Sequence, residues 1–141
     1  MNGVTAAVDE ATACSLADQF VAFLETGEPP AGLFHPDVFC DFTLPLWRFQ
    51  AQSREEVVAL RRAGHPGPGR VVRSRFDPTP TGFVLEFEER WTDGGTAWYS
   101  REMARADVTE AAISAVSVYC TGDWDEALQA RHARTVPLIR P

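Results

Sequence analysis

Several features that direct protein chemistry are missing from this sequence of 141 residues. Its three cysteines are odd in number and form neither a Cys-x-x-Cys pair nor the ligand spacing of a zinc site, so a disulfide framework and a structural metal are not expected. No Ser-His-Asp arrangement is legible, and Gly67 and Gly69 alternate with prolines, which lack the backbone donors of a phosphate-binding loop. We therefore predict neither a metal site nor a cofactor.

Positive charge and long apolar runs are also scarce. Lys and Arg number 13 against 20 Asp and Glu, and the formal net charge of −7 disfavours a nucleic acid or an anionic membrane as partner. No apolar run approaches the ~20 residues of a membrane-spanning helix. The acidic start at Asp9 and Glu10 does not resemble a signal peptide. These features predict a soluble, cytoplasmic protein.

What is present is a series of strand patterns from residue 70 to residue 121. In residues 82–91, Phe83, Leu85 and Phe87 alternate with other side chains, which is the period-2 pattern of a half-buried strand. The Thr-Asp-Gly-Gly sequence at residues 92–95 favours a hairpin turn, because glycine tolerates positive φ. Further strands are predicted at residues 70–77, 96–107 and 112–121, so that the four form an antiparallel meander.

Helical patterns flank the meander. In residues 10–26 apolar side chains recur at helical spacing, and Gly27 is placed to end that helix. Ser53 and Glu56 form a capping box for a second helix, which Gly64 closes. A strand is predicted at residues 37–43, a connection at residues 46–49, and a short third helix from Asp123 to residue 134. All of this fits one domain, 1–141, in which the small and polar residues 1–8 are predicted to be disordered.

This order of elements, with the patterns Asp18-Gln19-Phe20-Val21, His35-Pro36-Asp37-Val38 and Glu88-x-x-Trp91, resembles the nuclear transport factor 2-like (NTF2-like) superfamily. Within it, the resemblance is to SnoaL-like polyketide cyclases and ketosteroid isomerases. It implies a cone-shaped α+β fold in which a curved antiparallel sheet of four to six strands wraps around N-terminal helices and is followed by a short C-terminal helix. It also implies a mostly apolar pocket at the mouth of the cone.

Carrying the isomerase pattern across residue by residue gives two predicted catalytic acids, Glu102 and Asp41. The oxyanion-binding acid of that pattern matches Glu102, and a protonated carboxylic acid in an apolar site donates a hydrogen bond to a developing enolate. The oxyanion-hole tyrosine matches Phe20. The general-base aspartate matches Phe42, one place from Asp41, and an offset of one residue points a strand side chain to the opposite face. Asp41 therefore serves only if a bulge turns it inward.

Strand parity predicts which side chains face this pocket, and two of them are acids. Because carboxylates rarely enter an apolar face unpaired, Glu89 and Glu102 have two interpretations. Either they are buried with a raised pKa, as suits a general acid or base, or they reach solvent or an arginine at a helix end. The side chains assigned to the pocket face are Phe83, Leu85, Phe87, Glu89, Trp98, Ser100, Glu102, Val116, Val118 and Cys120.

The predicted substrate contacts come from aromatic and titratable residues. Trp47 and Trp98 offer flat surfaces for stacking at the mouth of the pocket. His65 lies in a Pro/Gly turn that borders the pocket and titrates near neutrality. The full predicted set is Trp47, Phe20, Phe42, Phe87, Glu89, Trp98, Cys120 and His65.

The resemblance implies a cofactor-independent enzyme of natural product biosynthesis. Its partner would be a hydrophobic, polycyclic or polyketide-like small molecule, isomerised or cyclised by proton transfer or by shaping of the substrate. Two alternatives stay open: a non-catalytic ligand-binding or dimerising module, and epoxide opening by activated water. Parity places Tyr119, with Glu86 and Glu88, on the outer face of the sheet, where we predict the contact of a homodimer.

Overall fold

A computed structural model describes residues 7–141 as three helices and one six-stranded sheet. The elements in chain order are α1 (Glu10–Thr26), β1 (Phe34–Leu44), β2 (Trp47–Gln52), α2 (Arg54–Gly64), β3 (Gly69–Thr79), β4 (Gly82–Asp93), β5 (Thr96–Thr109), β6 (Ala112–Cys120) and α3 (Glu126–Thr135). The curved sheet does not close, and its strands lie in the order β2-β1-β6-β5-β4-β3. All neighbouring strands are antiparallel except β1 and β6, which are parallel.

Local sequence sets the ends of the helices. Gly27 ends α1 in the left-handed conformation, with φ of 77°, and its N–H donates to the Phe23 carbonyl. At the start of α2, the Ser53 hydroxyl accepts from the backbone N–H of Glu56 at 3.2 Å. The predicted capping box is only half formed, because the Glu56 carboxylate accepts from the N–H of Gln52 at 3.1 Å rather than from that of Ser53.

The third helix begins later than predicted. Its N-cap is Asp125, whose carboxylate accepts from the N–H of Leu128 at 2.8 Å. Asp123 therefore does not cap a helix and lies instead in the turn between β6 and α3. This difference leaves the Asp123 carboxylate available for the site described below.

The meander is confirmed, and the six strands lie within the four to six that the resemblance implied, although the local patterns indicated only five. Residues 46–49, predicted as a connection, mostly belong to β2, which pairs with β1 from Leu44 opposite Trp47 to Phe39 opposite Gln52. In β2 only Ala51 is buried. An edge strand with so little burial carries no alternating pattern to detect.

The core lies between α1 and the concave face of the sheet. Phe23 meets Phe34 edge to face with ring centroids 5.2 Å apart, and Phe20 contacts both Phe34 and Phe87 in the same manner. Such pairs add about 0.5–1.5 kcal/mol each beyond the area they bury. The buried residues of α1 are Ala13, Leu16, Ala17, Phe20, Phe23 and Leu24.

The predicted disorder of residues 1–8 falls mainly outside the described residues, since 1–6 are not described. Val8 is described, and its N–H donates to the Pro80 carbonyl at 2.9 Å while its side chain packs against the core. Val8 therefore belongs to the folded domain.

The outer face of the sheet is charged, as parity predicted. Arg73 lies opposite Glu88 with charged atoms 3.8 Å apart, whereas Arg75 bonds to Asp77 on its own strand. Tyr119 also lies on this face and is 62% exposed. The homodimer contact assigned to this face remains a prediction.

Gly82 provides a prediction about the sheet itself. A Cβ atom at this position would lie 2.0 Å from the Ala106 carbonyl oxygen, so Gly82→Ala would force β4 and β5 apart. We expect a loss of about 1–3 kcal/mol in the free energy of unfolding, as for other overpacked positions, measured by urea denaturation. Gly67→Ala is the control, because its Cβ would meet open space, and equal losses in both variants would contradict the account.

Candidate functional site

An apolar cavity of about 130 Å³ lies between the helices and the concave face of the sheet. Sixteen residues line it, and four of them have polar side chains that can carry a charge near neutral pH: Arg61, His65, Glu102 and Asp123. The others are mostly aromatic or aliphatic, with Phe20, Phe42 and Phe87 among them. Burial of the lining decreases from Phe20 and Phe87, which are buried, to Gly64, which is exposed. The cavity therefore opens toward solvent at the C-terminal end of α2.

Glu102 supplies an unpaired polar atom to this cavity. Its side chain is on β5 opposite Cys120 and is 5% exposed. Oε1 accepts from the Ser100 hydroxyl and from the Cys120 thiol, each at 3.4 Å. Oε2 is buried and has no hydrogen-bond partner within residues 7–141. Burial, reinforced by the nearby Glu89 carboxylate, raises the pKa of Glu102 well above its usual value.

Glu89 forms a buried ion pair with an arginine of α2. Arg61 donates to Glu89 Oε1 at 2.5 Å and to Oε2 at 3.2 Å, and a further N–H bonds to the Leu24 carbonyl at 2.6 Å. Burial alone would raise the pKa of Glu89, but the hydrogen bonds and charge of Arg61 outweigh it and hold that pKa below its usual value. Glu89 thus follows the second interpretation, in which an arginine at a helix end neutralises the acid.

His65 borders the cavity directly after α2 and is held against the sheet. Its ring meets that of Trp91 at an angle of 68°, with centroids 4.4 Å apart. Burial, followed by the charge of Arg61, lowers the pKa of His65, although Glu89 and Asp123 oppose that shift. His65 is therefore a neutral imidazole near pH 7.

Asp123 stands at the rim of the same cavity. It follows Gly122, whose positive φ of 81° turns the chain beside Pro45 after the end of β6. Partial desolvation raises the pKa of Asp123, but the residue is exposed and its carboxylate remains in contact with solvent.

Half of the predicted site residues line this cavity. Those in its wall are Glu102, Phe20, Phe42, Phe87 and His65. The remaining five lie elsewhere: Asp41, Trp47, Glu89, Trp98 and Cys120. Among these, Cys120 still serves the site, because its thiol donates to Glu102.

Asp41 lies on the face of β1 opposite to the cavity. The only register shift between β1 and β6 falls between Phe34 and Phe39, so no bulge turns Asp41 inward. Instead Arg48 donates to both of its carboxylate oxygens, at 2.8 and 2.5 Å, and lowers the pKa of Asp41. The structure therefore does not bring the two predicted catalytic acids together.

The two tryptophans predicted to stack on a substrate also lie outside the cavity. Trp47 is on β2 and is 65% exposed. Trp98 stacks in parallel on Trp91, its partner across the β4–β5 ladder, with ring centroids 6.5 Å apart. Trp91 in turn contacts His65, so the tryptophan pair supports the site rather than lining it.

Two of the four polar lining residues were not recognised in the sequence. Arg61 is four residues after the buried Val57 and therefore on the apolar side of α2, where a charged residue signals a buried partner. In the sequence Asp123 was assigned as the start of the third helix. Because α3 begins later, with Asp125 as its N-cap, Asp123 does not cap it.

Within residues 7–141, no group of three or more His, Cys, Asp or Glu side chains is arranged to hold a metal ion. In the same part of the chain, no helix combines the length and apolarity needed to cross a membrane.

No protein-family model matches this sequence, and no curated protein matches it significantly. Solved structures do share its fold. An NTF2-like protein of Anabaena variabilis is 18% identical, with 86% of this chain and 97% of that chain covered and a TM-score of 0.65. A candidate polyketide cyclase of Xanthomonas campestris pv. campestris is 16% identical, with coverage of 77% and 90% and a TM-score of 0.63. A candidate ketosteroid isomerase of Kribbella flavida is 15% identical, with coverage of 93% and 92% and a TM-score of 0.59.

The predicted fold is confirmed by these neighbours: three helices and a curved, unclosed six-stranded sheet form the NTF2-like α+β cone.

Proposed function

We propose that this NTF2-like chain is a cofactor-independent enzyme that moves protons on a hydrophobic small molecule bearing a carbonyl group, as in isomerisation or cyclisation. The observation that carries the proposal is Glu102, a buried acid with an unpaired oxygen in the wall of an apolar cavity. Buried polar atoms are nearly always paired, so an orphan atom beside a cavity is typical of a site that a ligand completes.

The contacts of Glu102 assign its proton to one oxygen. Oε1 already accepts from two donors, the Ser100 hydroxyl and the Cys120 thiol. In a protonated carboxyl group the oxygen that accepts is the carbonyl oxygen, so the proton belongs on Oε2. The Glu89 carboxylate is a neighbouring acceptor for that O–H, and a ligand oxygen would compete with it. The bond to the ligand strengthens as negative charge develops on the oxygen of an enolate.

The volume of the cavity limits what enters it. Since a cavity of about 150 Å³ holds a benzene molecule, a cavity of about 130 Å³ accommodates one ring. A polycyclic or polyketide-like substrate would therefore place only its reacting ring inside, with the remainder at the opening near Gly64. The fold shared with a candidate polyketide cyclase and a candidate ketosteroid isomerase supports this substrate class.

The same small volume favours a second candidate function, the binding of a small ligand without chemistry. Pockets for drug-sized ligands measure about 300–1,000 Å³, well above the volume found here. In an enzyme, the hydrogen bond from Glu102 to the ligand would strengthen as the reaction proceeds. In a protein that only binds the ligand, this hydrogen bond would stay the same.

A pair of matched ligands tests the donor role of Glu102. We expect the wild type to bind phenol more tightly than toluene, which has nearly the same shape but no oxygen to accept from Oε2. Glu102→Leu should remove this preference, a loss of about tenfold for one hydrogen bond, whereas Glu102→Gln retains a donor. Isothermal titration calorimetry at pH 7 measures all three proteins.

Asp41→Asn is the control for a carboxylate outside the cavity, and its affinities should equal those of the wild type. A wild type that binds both compounds equally, or a Glu102→Leu variant that keeps the preference, would refute the donor role.

A further inference from the structure

We infer that His65 is the base that removes a proton from the carbon adjacent to the carbonyl group held by Glu102. This assignment rests on the proposed function, because it presupposes a ligand oxygen at Glu102. In the isomerase pattern the general base is an aspartate on β1, but this chain has Phe42 at that position. His65 would supply the missing base.

The placement of His65 suits that role. Glu102 and His65 line the same cavity of about 130 Å³ and come from different elements, β5 and the residue directly after α2. The backbone of His65 is fixed by a hydrogen bond from its N–H to the Arg61 carbonyl at 2.8 Å, and its ring rests on Trp91. Within residues 7–141 the ring nitrogens of His65 have no hydrogen-bond partner that would compete for a proton.

The groups around His65 keep it unprotonated and yet prepare it to accept a proton. Arg61 from α2, together with burial, disfavours the imidazolium form, while Glu89 from β4 and Asp123 from the turn after β6 favour it. The pKa of Glu102 is raised and that of His65 is lowered, so the cavity favours the protonated acid and the neutral base. Two titratable groups whose environments separate their protonation states in this way are typical of an acid and base pair.

The other groups near the cavity suit the role of base less well. Glu89 is engaged by both hydrogen bonds of Arg61. Burial raises the pKa of the Cys40 thiol to about 11, so its thiolate is scarce at neutral pH. Asp123 is exposed at the rim, where water solvates its carboxylate. Among these groups, His65 combines a ring without a hydrogen-bond partner in residues 7–141 and a pKa that favours the neutral, proton-accepting form.

The reaction step balances without a co-reactant. The C–H bond beside the carbonyl breaks, its electron pair becomes the π bond of the enolate, and the proton moves to an imidazole nitrogen of His65. The Oε2–H of Glu102 donates to the enolate oxygen throughout. The imidazolium, stabilised by Glu89 and Asp123, then returns the proton to a different carbon, which completes an isomerisation.

Deuterium exchange into cyclohex-2-enone, a one-ring ketone, tests the base. In D₂O we expect the wild type to catalyse loss of the proton signals next to the carbonyl, followed by ¹H NMR. His65→Gln should slow this exchange by about 10²–10⁴-fold, the usual contribution of a general base, while keeping the preference for phenol over toluene. His132→Gln, a change on α3 outside the cavity lining, should exchange at the wild-type rate.

The pH profile separates a base from a residue that merely packs in the wall. Since burial and Arg61 lower the pKa of His65, wild-type exchange should fall with decreasing pH at a midpoint below 6.5. This acid limb should vanish in His65→Gln. A residue with only a packing role would change the rate but leave the profile intact.

The outcomes distinguish this inference from the proposed function. If His65→Gln exchanges as fast as the wild type, or if the wild type prefers phenol yet does not exchange the ketone, His65 is not the base and the donor role of Glu102 stands. If the wild type shows neither the ligand preference nor exchange, the proposed function itself fails and the base assignment fails with it.

Discussion

Replacing Arg61 by methionine is expected to lower the free energy of unfolding by about 3–5 kcal/mol, the cost of leaving one member of a buried ion pair uncompensated. Glu89 is 2% exposed, and Arg61 provides both of its hydrogen bonds from the other layer of the fold. The substitution also removes the hydrogen bond that the Leu24 carbonyl, near the end of α1, accepts from Arg61. Urea denaturation at pH 7 measures the loss.

A second substitution distinguishes the effect of an uncompensated charge on Glu89 from a simple loss of packing. The double variant Arg61→Met with Glu89→Gln removes the charge while keeping the shape of the side chain, and it should recover most of the lost stability. Two results would contradict this account: a loss below about 1 kcal/mol in Arg61→Met, which is the range of exposed pairs, or no recovery in the double variant.

Raising the pH is expected to destabilise the protein through Glu102. Because the folded pKa of Glu102 is raised, the unfolded chain releases this proton at lower pH than the folded chain does. Over that interval the folded state binds the extra proton, so stability falls as pH rises, by up to about 1.4 kcal/mol for each pH unit. The wild type should therefore lose stability as the pH rises above the usual pKa of 4.5, until the pH passes the folded pKa of Glu102, and the loss is followed from pH 6.5 to pH 8.

Asp123, whose folded pKa is also raised, acts in the same direction as Glu102, but its carboxylate is exposed to solvent and contributes less. Glu89, whose folded pKa is lowered, contributes stability that is fully present above its usual pKa of 4.5 and constant here. The folded pKa of His65 is also lowered, so its contribution to stability is lost only as the pH falls toward 6.5 and below. The thiols of Cys40 and Cys120 change the stability only as the pH approaches 9.0, the usual pKa of a cysteine.

Glu102→Gln is the matched control, because it preserves the shape of the side chain and removes the titration. Its unfolding free energy, measured by urea denaturation, should stay nearly constant from pH 6.5 to pH 8, and the gap to the wild type should widen with each step. Parallel curves for the two proteins would mean that Glu102 is already ionised in the folded state.

The fold could be predicted because its signals are local. Gly27 ends a helix through its own backbone conformation, and the alternation of Phe83, Leu85 and Phe87 records burial on one face of β4. The same parity predicted that Asp41 lies opposite the pocket face unless a bulge intervenes, and the ladder has none at that point. β2 was not predicted because it lies at the edge of the sheet and buries only one residue, which leaves no alternating pattern.

The site was only partly predictable, because it depends on which distant side chains meet. Strand parity placed Glu89 and Glu102 on one face but could not show that Arg61 reaches one and leaves the other unpaired. The stacking of Trp98 on Trp91, and hence the support of His65, is likewise a contact across strands and elements. Such pairings follow from long side chains and tertiary packing, which no local pattern encodes.

The parallel pairing of β1 with β6 affects how the chain reaches this structure. β1 and β2 join the sheet only through β6, so residues 34–52 have no sheet to complete until residues 112–120 have been synthesised. On the ribosome, the wall of the cavity that contains Phe42 therefore forms last, although its residues are made early. Pairings across such long separations fold slowly and leave strand edges exposed in the meantime. The nascent β1–β2 segment is thus the part of the sheet that waits longest for its partner strand.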